Sequence, residues 1–355
     1  MSDFTPNSLP LLIGSVPLKD HGQAARMIFD HTPEIPIWPQ LPHYREEGMI
    51  PQFIPGFPGV TVEDEKLFID SEGDNFDMEF LAFFEEYLLV TEGGGDIEES
   101  RFALKEDVAR GFFEFLSVAH ERRDGLKALK GQLTGPITFC TGVVDRAGRA
   151  IFYNDQLRDA AVKMINLKGQ YQARKMAEIC PRPIVFFDEP GLAGFGSSAF
   201  ITITADDIVS CLTESFAGVK AEGGLTGVHV CANTEWSLLF EAGVDIVSYD
   251  AYSFFDKFVL YPEQLKAFID RGGILATGIV PTDGELIDTV TTKELVTKWF
   301  DQCEALQQIG IKKETIFRQS FVTPSCGTGT VTPDQARKVM ELTRDVSAEV
   351  RRTFV

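Results

Sequence analysis

The chain has 355 residues, 44% of them hydrophobic, and a formal net charge of −20. So large an acidic excess repels nucleic acid and anionic membrane surfaces, and neither is expected as a partner. The amino-terminal MSDFTPNSLP lacks the charged start and apolar core of a secretory signal, no apolar run approaches the roughly 20 residues of a membrane span, and six cysteines in such a chain read as reduced thiols of a cytoplasmic protein.

Short apolar segments alternate with amphipathic helical stretches along the whole chain. In order, the strand candidates are LPLLIGS (9–15), EIPIWPQ (34–40), LKGQLTGP (129–136), PIVFFDEP (183–190), GLTGVHVC (224–231), VDIVSYDA (244–251), GGILATGIV (272–280) and QSFVTPSCG (319–327). Eight strands separated by helices predict an α/β chain folded as a single (β/α)₈ barrel, one domain spanning 1–355. Residues 41–128, between the second and third strands, are too long for a simple crossover. They hold a proline-rich run (MIPQFIPGFPG), a hairpin pattern (VTVEDEKLFID) and a glycine-rich turn. The expectation is an insertion that forms a lid or substrate wall, with a purely structural excursion as the alternative.

Helix signals follow the strands. Thr204-Ala-Asp-Asp207 has the form of an amino-terminal cap with acid in the first turn. Thr332-Pro333 opens the last helix, whose Ala336, Val339, Met340, Thr343, Val346 and Val350 trace one face. Cys140, Cys180, Cys211 and Cys303 have no ligand-like neighbours and read as packing. Most of the 29 phenylalanines read the same way.

The chemistry gathers at the carboxyl ends of the predicted strands, where barrel enzymes carry their sites. His229 and Cys231 are two residues apart, so on a strand they share one face. An imidazole and a thiolate held that way are two ligands for zinc, and Cys326 at another strand end supplies a third. A zinc ion would deprotonate a substrate thiol, which near its normal pKa of about 8.5 is otherwise mostly protonated.

Taken together, LLIGS, KGQLTGPIT, FFDEP, HVC, DIVSYD and TPSCG resemble the carboxy-terminal catalytic barrel of cobalamin-independent methionine synthase. That barrel belongs to a superfamily shared with uroporphyrinogen decarboxylase and corrinoid-dependent thiol methyltransferases. The resemblance covers about Leu11 to Gly327 and implies zinc ligands His229, Cys231 and Cys326. It also implies an acidic ligand at the next strand end, where this chain has Asp250 in place of the family's glutamate. As the oxygen donor, Asp250 would be the catalytic ligand that loosens when substrate sulfur arrives; the alternative is a carboxylate that orients His229. Ile13, Gly14 and Ser15 match the turn that holds the amino-acid part of homocysteine, and Asp188 matches the aspartate that meets its ammonium. Gln40, His43 and Glu46 are further candidates for that contact.

The chain departs from the family where folate is handled. The position of the family's proton-donating histidine falls near Val280, that of a folate-stacking tryptophan near Gly142, and that of a folate-contacting glutamate at Gly194. Loss of a folate amine needs a general acid, whereas loss of a corrinoid does not. The expectation is therefore a folate-independent, stand-alone methionine synthase taking its methyl group from methylcobalamin or a corrinoid protein. A methyltransferase for coenzyme M or another small thiol is the first alternative; it would call for a cationic pocket, for which Arg101, Arg122 and Lys130 are available. A non-zinc tetrapyrrole-binding or decarboxylase-like member is the second.

Overall fold

A computed structural model describes residues 4–354 apart from 198, 199 and 201. A hairpin of β1 (Val60–Glu63) and β2 (Lys66–Ile69) stands apart from a curled parallel sheet of β3 (Leu129–Thr134), β4 (Pro183–Asp188), β5 (Leu225–Val230), β6 (Ile246–Tyr249), β7 (Ile274–Val280) and β8 (Ser320–Pro324). The six strands are hydrogen-bonded in chain order, all parallel, with helices on the connections. These are the last six of the eight predicted strands.

The first two predicted strands are not regular strands. Their place is taken by isolated parallel bridges, Pro10 to Val322 on the β8 edge, Ser15 to Gln40 between the two segments, and Ile37 to Lys130 on the β3 edge. Proline explains the difference in the second. Pro36 and Pro39 have no N–H to give a ladder, so pairing in the second segment is confined to Ile37 and Gln40, whereas the bridge at Pro10 runs through the C=O of Leu9 and the N–H of Leu11. Leu11 N donates to Val322 O (3.0 Å) and Trp38 N to Lys130 O (3.3 Å), which keeps both segments against the sheet edges.

The sheet buries both faces, as a parallel sheet must. On β4, Ile184 and Phe186 join an inner cluster with Leu9, Leu11, Ile37 and Phe321. Val185 and Phe187 alternate with them and pack into the larger cluster that includes the surrounding helices. Each such large side chain contributes about 1.5–3 kcal/mol by leaving water.

The local signals hold. Thr204 and Asp207 form a reciprocal capping box on the helix Ala205–Ala221. The predicted face of the last helix, from Ala336 to Val350, is buried along its length. Cys140, Cys180, Cys211 and Cys303 are buried. Within 41–128 the hairpin forms at the predicted residues, its tip residues Asp64 and Glu65 at φ 48° and 63° as a tight two-residue turn demands. Helices Phe76–Thr91 and Glu106–Glu121 follow it, packed through Phe83, Phe102, Phe112 and Phe115. Among the described residues no helix is long and apolar enough to cross a membrane.

Candidate metal centre and thiol site

Register places a row of polar residues near the carboxyl edge of the sheet. Thr134 pairs with Asp188, Asp188 with His229, and His229 with Ser248, so four adjacent strands put these side chains in line on one face. Cys231 lies two residues beyond His229, and Cys326 lies two beyond the end of β8. One ligand atom from each of His229, Cys231 and Cys326 lies within 4.8 Å of the others. The predicted trio is therefore assembled.

The electrostatics of the trio suit a cation. Ser248 Oγ is 2.9 Å from Nδ1 of His229, which fixes the ring. The other nitrogen, Nε2, is buried without a hydrogen-bond partner. The Cys231 sulfur is held well below the usual thiol range, first by the hydrogen bond from Cys326 and next by the adjacent His229 ring. Cys326 is pushed up in turn, because it keeps the proton it shares with Cys231. One nitrogen and two sulfurs, one of them readily ionised, form a donor set that fits zinc.

The same site opens on a cavity of about 260 Å³ lined by Ile13, Gly14, Ser15, Asp188 and the three metal candidates. The N–H groups of Gly14 and Ser15 find no acceptor among the described residues. Gly14 packs closely against two glutamines: a Cβ there would sit 2.8 Å from Gln40 Oε1 and 3.3 Å from Gln132, so Gln40 would have to shift to admit one. Asp188 Oδ1 is buried and unpartnered. Burial raises the Asp188 pKa, against the pull of His229 and Lys130. The adjoining Glu189 points elsewhere, accepting from the N–H of Ile137 (2.9 Å) and Thr138 (2.7 Å). The DEP corner thus divides into one structural and one free carboxylate.

Asp250 stands apart from the trio. Its Oδ1 accepts from Ser253 N at 2.9 Å and caps the helix Ala251–Phe258, and its carboxylate is not in the group within 4.8 Å. Of the three further candidates, Gln40 lines the cavity, while His43 and Glu46 are exposed and do not. Their neighbour Glu47 does line it, fixed by a hydrogen bond to His21 and by Leu41 N at 2.7 Å.

Glu47, Ser248 and Lys130 are the residues sequence reasoning missed or could not place. Ser248 was recoverable, since register across β5 and β6 pairs it with His229. Glu47 belongs to the part of the insertion that reaches the site. There Met49 O accepts from Thr134 Oγ1 (2.7 Å), and Pro42, Gly48 and Met49 join the cavity wall. Arg101 and Arg122 are paired with Glu86 and Asp30 and do not line the cavity.

No protein-family model matches the chain, and no curated protein matches its sequence. Among solved structures, the chain shares its fold with a methyltransferase from Methanosarcina mazei, at a TM-score of 0.51 and 14% identity over 92% of this chain and 84% of that one. A B12-independent methionine synthase from Shewanella sp. W3-18-1, solved with selenomethionine, aligns at a TM-score of 0.46 and 15% identity, over 68% of this chain and 67% of its own. At 14% identity the likeness to the Methanosarcina mazei protein is one of fold.

Proposed function

We propose that this chain is a zinc-dependent methyltransferase of the methionine synthase-like superfamily, and that it methylates the thiol of homocysteine. On this reading the bridges at Pro10, Ser15 and Ile37 complete an eight-position barrel. One observation carries the proposal. A buried, unpartnered His229 Nε2 and two cysteine sulfurs converge on the same cavity as two free backbone N–H groups and a free carboxylate oxygen.

His229, Cys231 and Cys326 would hold the metal, with Asp250 as the oxygen donor we propose for a fourth position. What zinc supplies when bound is thiol activation at neutral pH. The rest falls to the chain. Gly14 and Ser15 offer N–H donors to the α-carboxylate, and Asp188 Oδ1 offers an acceptor to the α-ammonium. Ser248 keeps the His229 ring in one orientation. Pro42, Met49 and Pro190 give the cavity wall its apolar part.

The charge of the lining favours an amino-acid thiol over a sulfonate such as coenzyme M. Glu47 and Asp188 are its acids, and no lysine or arginine lines it among the described residues. The tetrapyrrole reading has less support, because the large phenylalanines pack in the core. For the donor we propose a methylcorrinoid, free or carried by a corrinoid protein. The end of β7, where a proton donor for folate would be sought, carries the fully buried aliphatic Val280.

The test is methionine formation by zinc-loaded protein from homocysteine, with methylcobalamin and 5-methyltetrahydrofolate run in parallel and coenzyme M as competing acceptor. Product from methylcobalamin and homocysteine supports the reading. Methylation of coenzyme M alone refutes the acceptor, and product from folate refutes the donor.

A further inference from the structure

Lys130 is fully buried inside the sheet, where a lysine is rarely found without a carboxylate partner. Among the described residues no acid lies within ion-pair distance of its ammonium. Its Nζ donates instead to Ile13 O at 2.5 Å and to Gln132 Oε1 at 3.2 Å, and sits 4.4 Å from the centre of the Phe186 ring. A methionine of similar length would fill this space without the cost of burying a strongly polar amine. What the lysine adds is a hold on one carbonyl.

That carbonyl belongs to the peptide joining Ile13 to Gly14. The peptide is trans, so its C=O and N–H point in opposite directions. With the oxygen drawn onto Lys130, the Gly14 N–H faces away from it, and Gly14 lines the cavity. An N–H donor on the carbonyl also polarises the peptide and strengthens its own N–H as a donor. Gln132 completes the brace by donating from Nε2 to Trp38 O at 2.8 Å, tying the lysine's partner to the neighbouring segment.

We infer that Lys130 is a positioning residue: through the Ile13 carbonyl it sets the orientation of the Gly14 N–H that receives the substrate carboxylate. The inference rests on reading the turn as the amino-acid recognition element. It assigns substrate recognition to a residue that touches no substrate.

The experiment compares zinc-loaded wild type with Lys130→Met, by crystal structure without substrate and by calorimetric affinity for homocysteine and for propanethiol, which lacks the amino-acid head. Lys130→Gln takes the same measurements should the methionine variant not fold. The expected result is a rotated or disordered Ile13–Gly14 peptide, one zinc per chain retained, homocysteine affinity down at least tenfold, and propanethiol affinity changed less than twofold. An unmoved peptide, or equal losses for both thiols, overturns the inference. If wild type binds no homocysteine, the functional reading fails, and the orientation of the peptide still decides whether Lys130 sets it.

Discussion

Ser248 Oγ lies 2.9 Å from Nδ1 of His229, on the strand next to it and at the residue paired with it in register. The serine therefore decides which imidazole nitrogen faces the two sulfurs. Ser248→Ala should lower zinc affinity about ten- to a hundredfold, the usual cost of removing a group that orients a metal ligand. Competition against a chromogenic chelator measures this. Unchanged affinity would show that the ring is held by packing alone.

The cysteines divide into two classes that exchange should separate. Cys231 and Cys326 are half-buried and within reach of His229, whereas Cys303 is buried in a helix and its thiol is pushed up to about 12 by burial. Cys326→Ser should abolish stoichiometric zinc and methyl transfer, while Cys303→Ser keeps one zinc per chain. Elemental analysis of both variants reads the outcome directly.

Asp188 offers its unpartnered oxygen to a cationic head group. Asp188→Asn should weaken homocysteine by about ten- to a hundredfold, corresponding to a charged hydrogen bond of about 1.5–3 kcal/mol. Propanethiol, with no ammonium, should be methylated as before. A parallel loss for both thiols would mean that Asp188 serves the metal or the fold.

Lys130 also gives a pH signature. Burial pulls its pKa down from 10.5 to about 7, partly opposed by Asp188. Between those values the unfolded chain holds a proton that the folded protein has released, so this residue makes stability rise with pH across that window. The slope is at most about 1.4 kcal/mol per pH unit. Urea unfolding at pH 7, 8 and 9 should show wild type gaining on Lys130→Met. Parallel stabilities would contradict the assignment.

Much of this was legible in the sequence, for reasons that can be named. The His229–Cys231 spacing shows a shared strand face, and apolar runs bounded by turns mark β3 to β8. The first two segments misled, because their hydrophobic pattern is strand-like while each pairs only at isolated bridges, the second interrupted by Pro36 and Pro39. Pattern reports burial, and proline reports hydrogen bonding; here they diverge.

The remaining gaps are contacts between residues far apart in the chain. Nothing local distinguishes Glu47, which lines the cavity, from Glu46, which is exposed; the bonds to His21 and Leu41 N hold the former in place. Lys130 looks like any basic residue until the sheet buries it under Ile13. The Asp250 contact is instead local, its Oδ1 accepting from Ser253 N three residues on to cap the helix that begins beside it.

The central claim is that the His229–Cys231–Cys326 centre takes up and activates a substrate thiol. Calorimetric titration of homocysteine into zinc-loaded and metal-free protein, repeated in buffers of different ionisation enthalpy, tests it most directly. The account expects binding to the zinc-loaded protein with release of about one proton, and affinity at least tenfold weaker without metal. Equal affinity with and without zinc, or binding with no proton released, would contradict it.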